Sequence, residues 1–295
     1  MLDNIVGQHE VKERLTILIE SSRNGTLPHI LLTGAPGLGK SSIARSISNE
    51  MGYKFTEVNS AYTGGGSEAK IKMMIALEDL KENDIIFIDE IHNLSKNMQE
   101  MLYTAVEDSY INYGDLFGSK KLLPPFTLIG ATTDLAGLTP AMQSRFKHVI
   151  YLREYNTNEI EQIIAAESAK QKEVVNKSLA KYCRGNPRQT KNHLDWVIRY
   201  CKVKKILADE NGVKQAMEAK NIYKYGMTQN DLNYISLLKK KKIMGVRNIS
   251  HTLNIEEKTV KNTIEPYLMK LGLIAILSNG NKRVINMEKC IELGL

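Results

Sequence analysis

A chain of 295 residues with 42% hydrophobic and 25% charged side chains has the make-up of a folded protein of about two to three domains, which excludes a disordered or low-complexity polymer. The formal charge of +7 is unevenly placed: residues 1–153 carry 15 basic and 18 acidic side chains, residues 154–225 carry 14 and 9, and residues 226–295 carry 11 and 6. Positive charge therefore lies behind the first half, which suits a partner made of phosphates.

Cys183, Cys201 and Cys290 are widely spaced without a C-x-x-C pattern, so neither a metal site nor a disulfide framework is expected, and a reducing compartment fits. No basic and apolar leader follows Met1, and no run approaches the roughly 18 apolar residues of a membrane span. The expected location is the cytoplasm.

In chain order, helical spacing of Val11, Leu15, Leu18 and Ile19 comes first, then five short apolar runs: His29 to Thr33, Tyr53 to Val58, Asp84 to Asp89, Phe126 to Ala131 and His148 to Leu152. Helical patterns such as Ile71, Met74, Ile75 and Leu77 lie between them, and this alternation predicts an α/β domain over 1–153 with a parallel five-stranded sheet. The first run leads into Gly34-Ala35-Pro36-Gly37-Leu38-Gly39-Lys40-Ser41, followed by a helix near Ser42. This is the phosphate loop G-x-x-x-x-G-K-[ST] in its strand-to-helix setting. Gly37 and Gly39 let backbone N–H groups turn inward around the phosphates, Lys40 reaches the β and γ phosphates, and the Ser41 hydroxyl ligates Mg²⁺. ATP with Mg²⁺ is the implied cofactor.

The third run ends in Asp89-Glu90. A buried strand presents acids only at its end, so Asp89 is expected on Mg²⁺ and Glu90 is expected to activate the attacking water. The bland alternative, the polar start of a loop, is weakened by the position about 50 residues after Lys40 in a βαβ series. After the fourth run, Thr132 and Thr133 offer hydroxyls to the lytic water or the γ-phosphate, Thr133 ahead of Thr132. Arg145, in Ser144-Arg145-Phe146, has the chemistry to stabilise phosphoryl transfer from a neighbouring subunit. Taken alone it reads as a surface arginine in a salt bridge.

From Asn158 the pattern turns helical, and 154–225 is expected to form a small helical lid. Over 226–295, a helix bearing Leu232, Ile235 and Leu238 precedes helices around Ile249 to Leu253 and Thr259 to Leu271. Strand-like runs Leu273 to Leu277 and Arg283 to Met287 follow, joined through Ser278-Asn279-Gly280-Asn281. Asn-Gly between two such runs is a hairpin signal, and the whole predicts a winged helix. Lys282 and Arg283 on the wing, with Lys258 and Lys261 on the helix behind it, are the candidate DNA contacts; for each, a solvated surface charge is the competing reading.

The combined run of Gly34 to Ser41, Phe87-Ile88-Asp89-Glu90-Ile91-His92, Pro124-Pro125-Phe126-Thr127-Leu128-Ile129-Gly130-Ala131-Thr132-Thr133 and Ser144-Arg145-Phe146 resembles the RuvB family of AAA+ Holliday-junction branch-migration ATPases over nearly the whole chain. Val6-Gly7-Gln8, Gly185-Asn186-Pro187-Arg188, Ile264-Glu265-Pro266-Tyr267-Leu268 and Leu271-Gly272-Leu273-Ile274 add to the resemblance.

What it implies is a homo-oligomeric ring, hexameric in the family, that hydrolyses ATP to move duplex DNA in recombination and repair. A RuvA-like junction-binding protein and a junction resolvase would be partners. It further implies that Arg145 reaches the neighbour's site, that Arg188 senses the γ-phosphate, and that Tyr155, Ile5, Val6, Ser42, Glu107 and Asp108 line the nucleotide. Pro266 inside the presumed recognition helix has a counterpart in the family. Three departures stand out: no Arg-Pro segment precedes Val6, Tyr110 to Leu123 is shorter than the family's partner-binding hairpin, and Ile276 stands where the family has a wing arginine. Within the same fold, a replication initiator or clamp-loader subunit is the rival reading, and the Pro-Pro-Phe-Thr-Leu-Ile-Gly-Ala-Thr-Thr run argues against it. From another class, a non-catalytic ATP-gated DNA-binding regulator is disfavoured by Glu90 and Arg145, which binding alone does not require.

Overall fold

A computed structural model of the chain describes Leu2 and residues 4–59, 67–112, 120–277, 280 and 282–295. They fall into two compact units, Met1–Glu167 with Gly185–Lys191, and Ser168–Arg184 with Asn192–Leu295.

In the first unit, α1 (His9–Ser21), β1 (Ile30–Thr33), α2 (Lys40–Met51), β2 (Phe55–Asn59), α3 (Ser67–Glu78), β3 (Ile85–Asp89) and α4 (Lys96–Glu107) follow one another. A short antiparallel pair, β4 (Tyr110–Asn112) and β5 (Lys120–Leu122), then leads to β6 (Thr127–Thr132), α5 (Pro140–Arg145), β7 (His148–Tyr151) and α6 (Thr157–Lys170). The β4–β5 pair occupies part of the stretch where the family's hairpin is expected; residues 113–119 between them lie outside the described residues.

The five predicted strands form one parallel sheet in the order β2-β3-β6-β1-β7. β1 and β6 are buried throughout and β3 in its first four residues, as a sheet covered on both faces requires. Ile86, Ile88, Leu31 and Leu128 pack with Met73 and Leu77 of α3 and Leu102 and Ala105 of α4. The alternate residue Phe87 stacks on Phe55 at 5.7 Å, since successive strand side chains point to opposite faces. Two helices have clear start signals: the Ser95 and Thr139 hydroxyls accept from Met98 N and Met142 N and cap α4 and α5, and Pro140 opens α5.

Beyond α6, a 3₁₀ turn (Lys177–Tyr182), α7 (Pro187–Lys204) and α8 (Glu210–Ala219) precede β8 (Ile222–Tyr223) and β9 (Met227–Thr228). The borders of the compact units lie within α6, before α7 and within α7.

The rest is a winged helix: α9 (Gln229–Lys241), β10 (Ile243–Gly245), α10 (Val246–Leu253), α11 (Glu257–Thr259), a π-helical segment Val260–Ile264, α12 (Glu265–Lys270), β11 (Ile274–Ile276), β12 (Lys282–Ile285) and α13 (Met287–Leu293). β10 completes a three-stranded antiparallel sheet in the order β10-β12-β11, and neither it nor α13 was expected from the sequence. The second predicted strand stops at Ile285 because the Asn286 side chain caps α13. Pro266 follows directly on the π-helical segment Val260–Ile264 within one continuous helical run, where the i→i−4 ladder that its missing N–H would have joined is already interrupted. Of the expected wing turn, Ser278, Asn279 and Asn281 lie outside the described residues, and Gly280 takes φ 69°. Tyr234, Ile235, Leu238, Ile249, Val260, Ile264, Leu268 and Leu273 form this core.

Candidate nucleotide site and DNA face

In an open parallel sheet, ligands bind at the carboxyl edge of the strands. Thr33 pairs with Thr132 and Ile88 with Gly130, so the loops after β1, β3 and β6 leave that edge side by side. Three glycines of the first loop need their conformation: Gly34, Gly37 and Gly39 have φ of 151°, 83° and 95°. A Cβ on Gly34 would meet the Leu152 carbonyl at 2.8 Å, and one on Gly37 the Asn186 amide at 2.6 Å.

Gly39 caps α2 with no side-chain hydrogen bond. The first-turn amides of α2, including those of Ser41 and Ser42, are therefore left for an anion. Lys40 is 6% exposed, and its Nζ donates to the carbonyls of Gly34 at 2.8 Å and Ala35 at 3.2 Å. Burial lowers its pKa, with the Glu90 and Asp89 carboxylates acting the other way. Burial and the adjacent Glu90 raise that of Asp89. A buried cation, two carboxylates and an uncapped helix start fit a phosphate chain with a divalent cation. Among the described residues no group of three or more His, Cys, Asp or Glu could hold a metal; Ser41 and Asp89 offer oxygen donors of the kind that, beside phosphate, suits Mg²⁺.

Glu90 takes a left-handed backbone, φ 47°. Its Oε2 accepts from Thr133 N at 3.2 Å and Thr133 Oγ1 at 3.0 Å, and stands 3.3 Å from His92 Nδ1. The same His92 nitrogen lies 2.9 Å from Thr132 Oγ1, which also bonds both the Asp134 carbonyl and amide. Thr133 thus reaches Glu90, whereas Thr132 is buried and engaged elsewhere. Sequence reasoning gave His92 no role; its place two residues after Glu90 in Asp-Glu-Ile-His was the available signal.

The segment holding Ile5 and Val6, which the resemblance places along the nucleotide, is anchored by several bonds. Ile5 is buried and its carbonyl accepts from Lys12 Nζ; Gln8 Nε2 donates to the Arg153 carbonyl, and Gln8 N to Glu159 Oε1. Val6, between them, is half-buried. The Tyr155 hydroxyl donates to the Leu38 carbonyl at 3.3 Å, and burial raises its pKa. Asn186 Nδ2 donates to the Pro36 carbonyl at 2.8 Å, and Arg188 N to the Gly37 carbonyl at 3.3 Å. Arg188 is close enough to help lower the Lys40 pKa. The structure therefore gathers Lys40, Asp89, Glu90, Thr133, Tyr155 and Arg188 around one loop.

Glu107 and Asp108 are placed differently. Asp108 ends α4, and the carboxylate of Glu107 is engaged by Arg145, whose Nη1 is 2.8 Å from Glu107 Oε2. Arg145 Nη2 donates to the Tyr103 hydroxyl at 2.6 Å, with the guanidinium 4.6 Å over that ring. Arg145 thus does make the salt bridge that the bland reading expected.

On the winged helix, Lys258, Lys261 and Lys282 are exposed, Lys261 pairing with Glu257. Arg283 corrects the sequence reading: it is 3% exposed and lies on the inner face of β12. Its Nε and Nη2 donate to Glu265 Oε1 at 2.7 Å and Oε2 at 2.9 Å, and its Nη1 to the Gly280 carbonyl at 3.0 Å. The Tyr234 hydroxyl donates to the same Glu265. A buried carboxylate needs such a cation, so Arg283 is not available to DNA.

A glycine-bounded phosphate loop, acids at the end of the third parallel strand, and a polar residue at the end of the fourth define a P-loop ATPase of the AAA+ class. Residues 1–152 match the Holliday junction DNA helicase RuvB P-loop domain, and residues 224–287 the RuvB C-terminal winged helix domain. The chain belongs to the RuvB family. It is 33% identical to the Holliday junction branch migration complex subunit RuvB of Campylobacter hominis, across 99% of this chain and 88% of that one. It is 34% identical to the same subunit of Mesomycoplasma hyopneumoniae, across 95% and 92%. The solved Thermotoga maritima RuvB Holliday junction branch migration motor superposes with a TM-score of 0.78 at 28% identity, covering 99% of this chain and 96% of that one.

Proposed function

We propose that this chain is the ATP-hydrolysing subunit of a motor that moves duplex DNA and drives Holliday-junction branch migration in recombination and repair. The single observation carrying this reading is the Lys40–Asp89–Glu90–Thr133 cluster on a RuvB-family chain matched over 99% of its length. Lys40 and the amides at the start of α2 bind the β and γ phosphates. Ser41 and Asp89 hold Mg²⁺, which when bound neutralises charge on the phosphate oxygens. Glu90 orients and deprotonates the attacking water, with Thr133 and His92 fixing its carboxylate. Ile5, Val6 and Tyr155 border the base and sugar, and Arg188 responds to the γ-phosphate.

Arg145 acts on the site of a neighbouring subunit in a homo-oligomeric ring, where Glu107 and Asp108 accompany it. Lys258, Lys261 and Lys282 hold phosphates of the duplex, giving grip without sequence choice, as a translocating motor needs. A RuvA-like junction-binding protein and a junction resolvase are the expected partners, in the cytoplasm; among the described residues no helix is long and apolar enough to cross a membrane.

The test is ATP-dependent branch migration of a synthetic four-way junction, with and without a RuvA-type protein. Migration in either condition, lost in Glu90→Gln, supports the reading. Healthy ATPase activity without migration in both conditions overturns it and leaves an AAA+ ATPase of another kind. Absence of turnover in the wild type favours the ATP-gated regulator.

A further inference from the structure

Five consecutive residues, Arg184 to Arg188, carry hydrogen bonds to the phosphate loop at one end and to the winged helix at the other. At the nucleotide end, Asn186 and Arg188 bond the carbonyls of Pro36 and Gly37. Tyr155 N donates to the Gly185 carbonyl at 2.9 Å, and a Cβ on Gly185 would meet the Tyr155 carbonyl at 2.5 Å.

At the other end, Arg184 Nε donates to the Gly226 carbonyl at 2.8 Å and Nη2 to Asp231 Oδ2 at 2.6 Å, while its guanidinium stacks 3.9 Å over the Tyr267 ring. The Arg184 side chain is 16% exposed and that of Asp231 2%. Asp231 Oδ2 also accepts from Thr228 N and Oγ1 in the capping box that starts α9. The Tyr267 hydroxyl of α12 donates to the Tyr225 carbonyl. One side chain therefore ties down the turn at Gly226, the start of α9 and α12.

Arg184 and Gly185 are both left-handed, with φ of 50° and 67°. A non-glycine residue takes that conformation only at a steric cost, and at Arg184 three contacts of its side chain hold it there. The peptide bond between them carries the chain from one compact unit to the other.

We propose that Arg184 is the positioning residue through which a nucleotide-dependent displacement of Gly185–Arg188 reaches the winged helix. This rests on the motor reading above. Its contacts are with Gly226, Asp231 and Tyr267, not with residues assigned above to the nucleotide or to DNA. Its planar, always charged fork holds carboxylate, carbonyl and ring at once, which a lysine cannot do.

The test uses the full chain and a fluorescein-labelled DNA duplex, whose affinity is measured by anisotropy with ADP and with ATPγS, alongside basal ATPase and a thermal melt. The variants are Arg184→Met and the double change Arg184→Met with Asp231→Asn, which keeps an acceptor for Thr228 N and leaves no buried charge unpaired. For the wild type, the two nucleotide states are expected to differ in DNA affinity by at least about fivefold. In the variants the difference should fall to within about twofold of none, with basal ATPase retained. A wild-type ratio that survives in the variants overturns the proposal alone. A wild type with no nucleotide dependence overturns it together with the motor reading. Loss of basal ATPase along with the ratio, or loss of the melting transition in both variants, also overturns it, because the residue then serves only stability.

Discussion

The guanidinium of Arg145 is paired within its own subunit: Nη1 lies 2.8 Å from the Glu107 carboxylate, and the two residues close the ends of α5 and α4. A long cationic side chain is thereby fixed between a carboxylate and the Tyr103 ring, and a phosphate would have to compete with Glu107 for it.

If Arg145 serves a neighbour's site, Arg145→Ala should lower ATP turnover by about 10³-fold or more, within the range of arginine fingers supplied in trans. Glu90→Gln subunits should be equally inactive on their own. Mixing the two inactive proteins should restore part of the activity, since some interfaces then combine an intact Glu90 with an intact Arg145. Steady-state phosphate release from titrated mixtures measures this, and a mixture as inactive as its components would rule out a site shared between subunits.

Glu90→Gln should reduce hydrolysis by about 10²- to 10⁴-fold, the usual worth of a positioned general base, while ATP affinity stays within a few-fold. Thr133→Val removes one of the two Thr133 bonds to Glu90 and leaves the backbone one. Its turnover should therefore fall less, by about tenfold. Single-turnover hydrolysis beside equilibrium binding of a fluorescent ATP analogue separates the two effects.

The two basic wing residues should respond in opposite ways. Arg283→Met strands the Glu265 carboxylate, which is 2% exposed, and should destabilise the chain by about 3–5 kcal/mol. Lys282→Ala should leave stability unchanged and weaken DNA binding, lowering the slope of log affinity against log salt by about 1. Chemical denaturation and salt-dependent anisotropy read the two outcomes. A normal salt slope in Lys282→Ala would remove that residue from the DNA face.

Acid sensitivity has two sources with worked signs. Arg153 holds the Glu159 pKa at about 2 against an ordinary 4.5. The group's contribution is fully present above pH 4.5 and is lost as pH falls towards 2; with Arg153 half in solvent it is worth about 2 kcal/mol. Burial depresses His29 and His193 to about 4 from 6.5, so the unfolded chain takes up protons first as pH drops below 6.5. Stability should begin to fall there and steepen below 4.5. In a melting series, the gap between wild type and Glu159→Gln should be constant from pH 7 to 5 and shrink at lower pH.

The phosphate loop, the five strands and the acids after the third were legible in the sequence because each rests on local physics. Buried parallel strands write continuous apolar runs, glycines mark positive φ, and a charge next to such a run can sit only at its end. The winged helix was legible for the same reason, through helical periodicity and an Asn-Gly turn. What only the tertiary structure decided is which long-range partner each charged side chain meets. Arg283 reads as a wing cation until β12 turns it inward onto Glu265; the one local hint was that Glu265, three residues before Leu268, falls within a helix whose core positions are Val260, Ile264 and Leu268. Glu107 read as a nucleotide neighbour by resemblance, and Arg184 carried no signal at all. Their partners lie 38 and 47 residues away along the chain. Periodicity reports that a position is buried or exposed, but only the packed fold brings a given cation and carboxylate within 3 Å of each other.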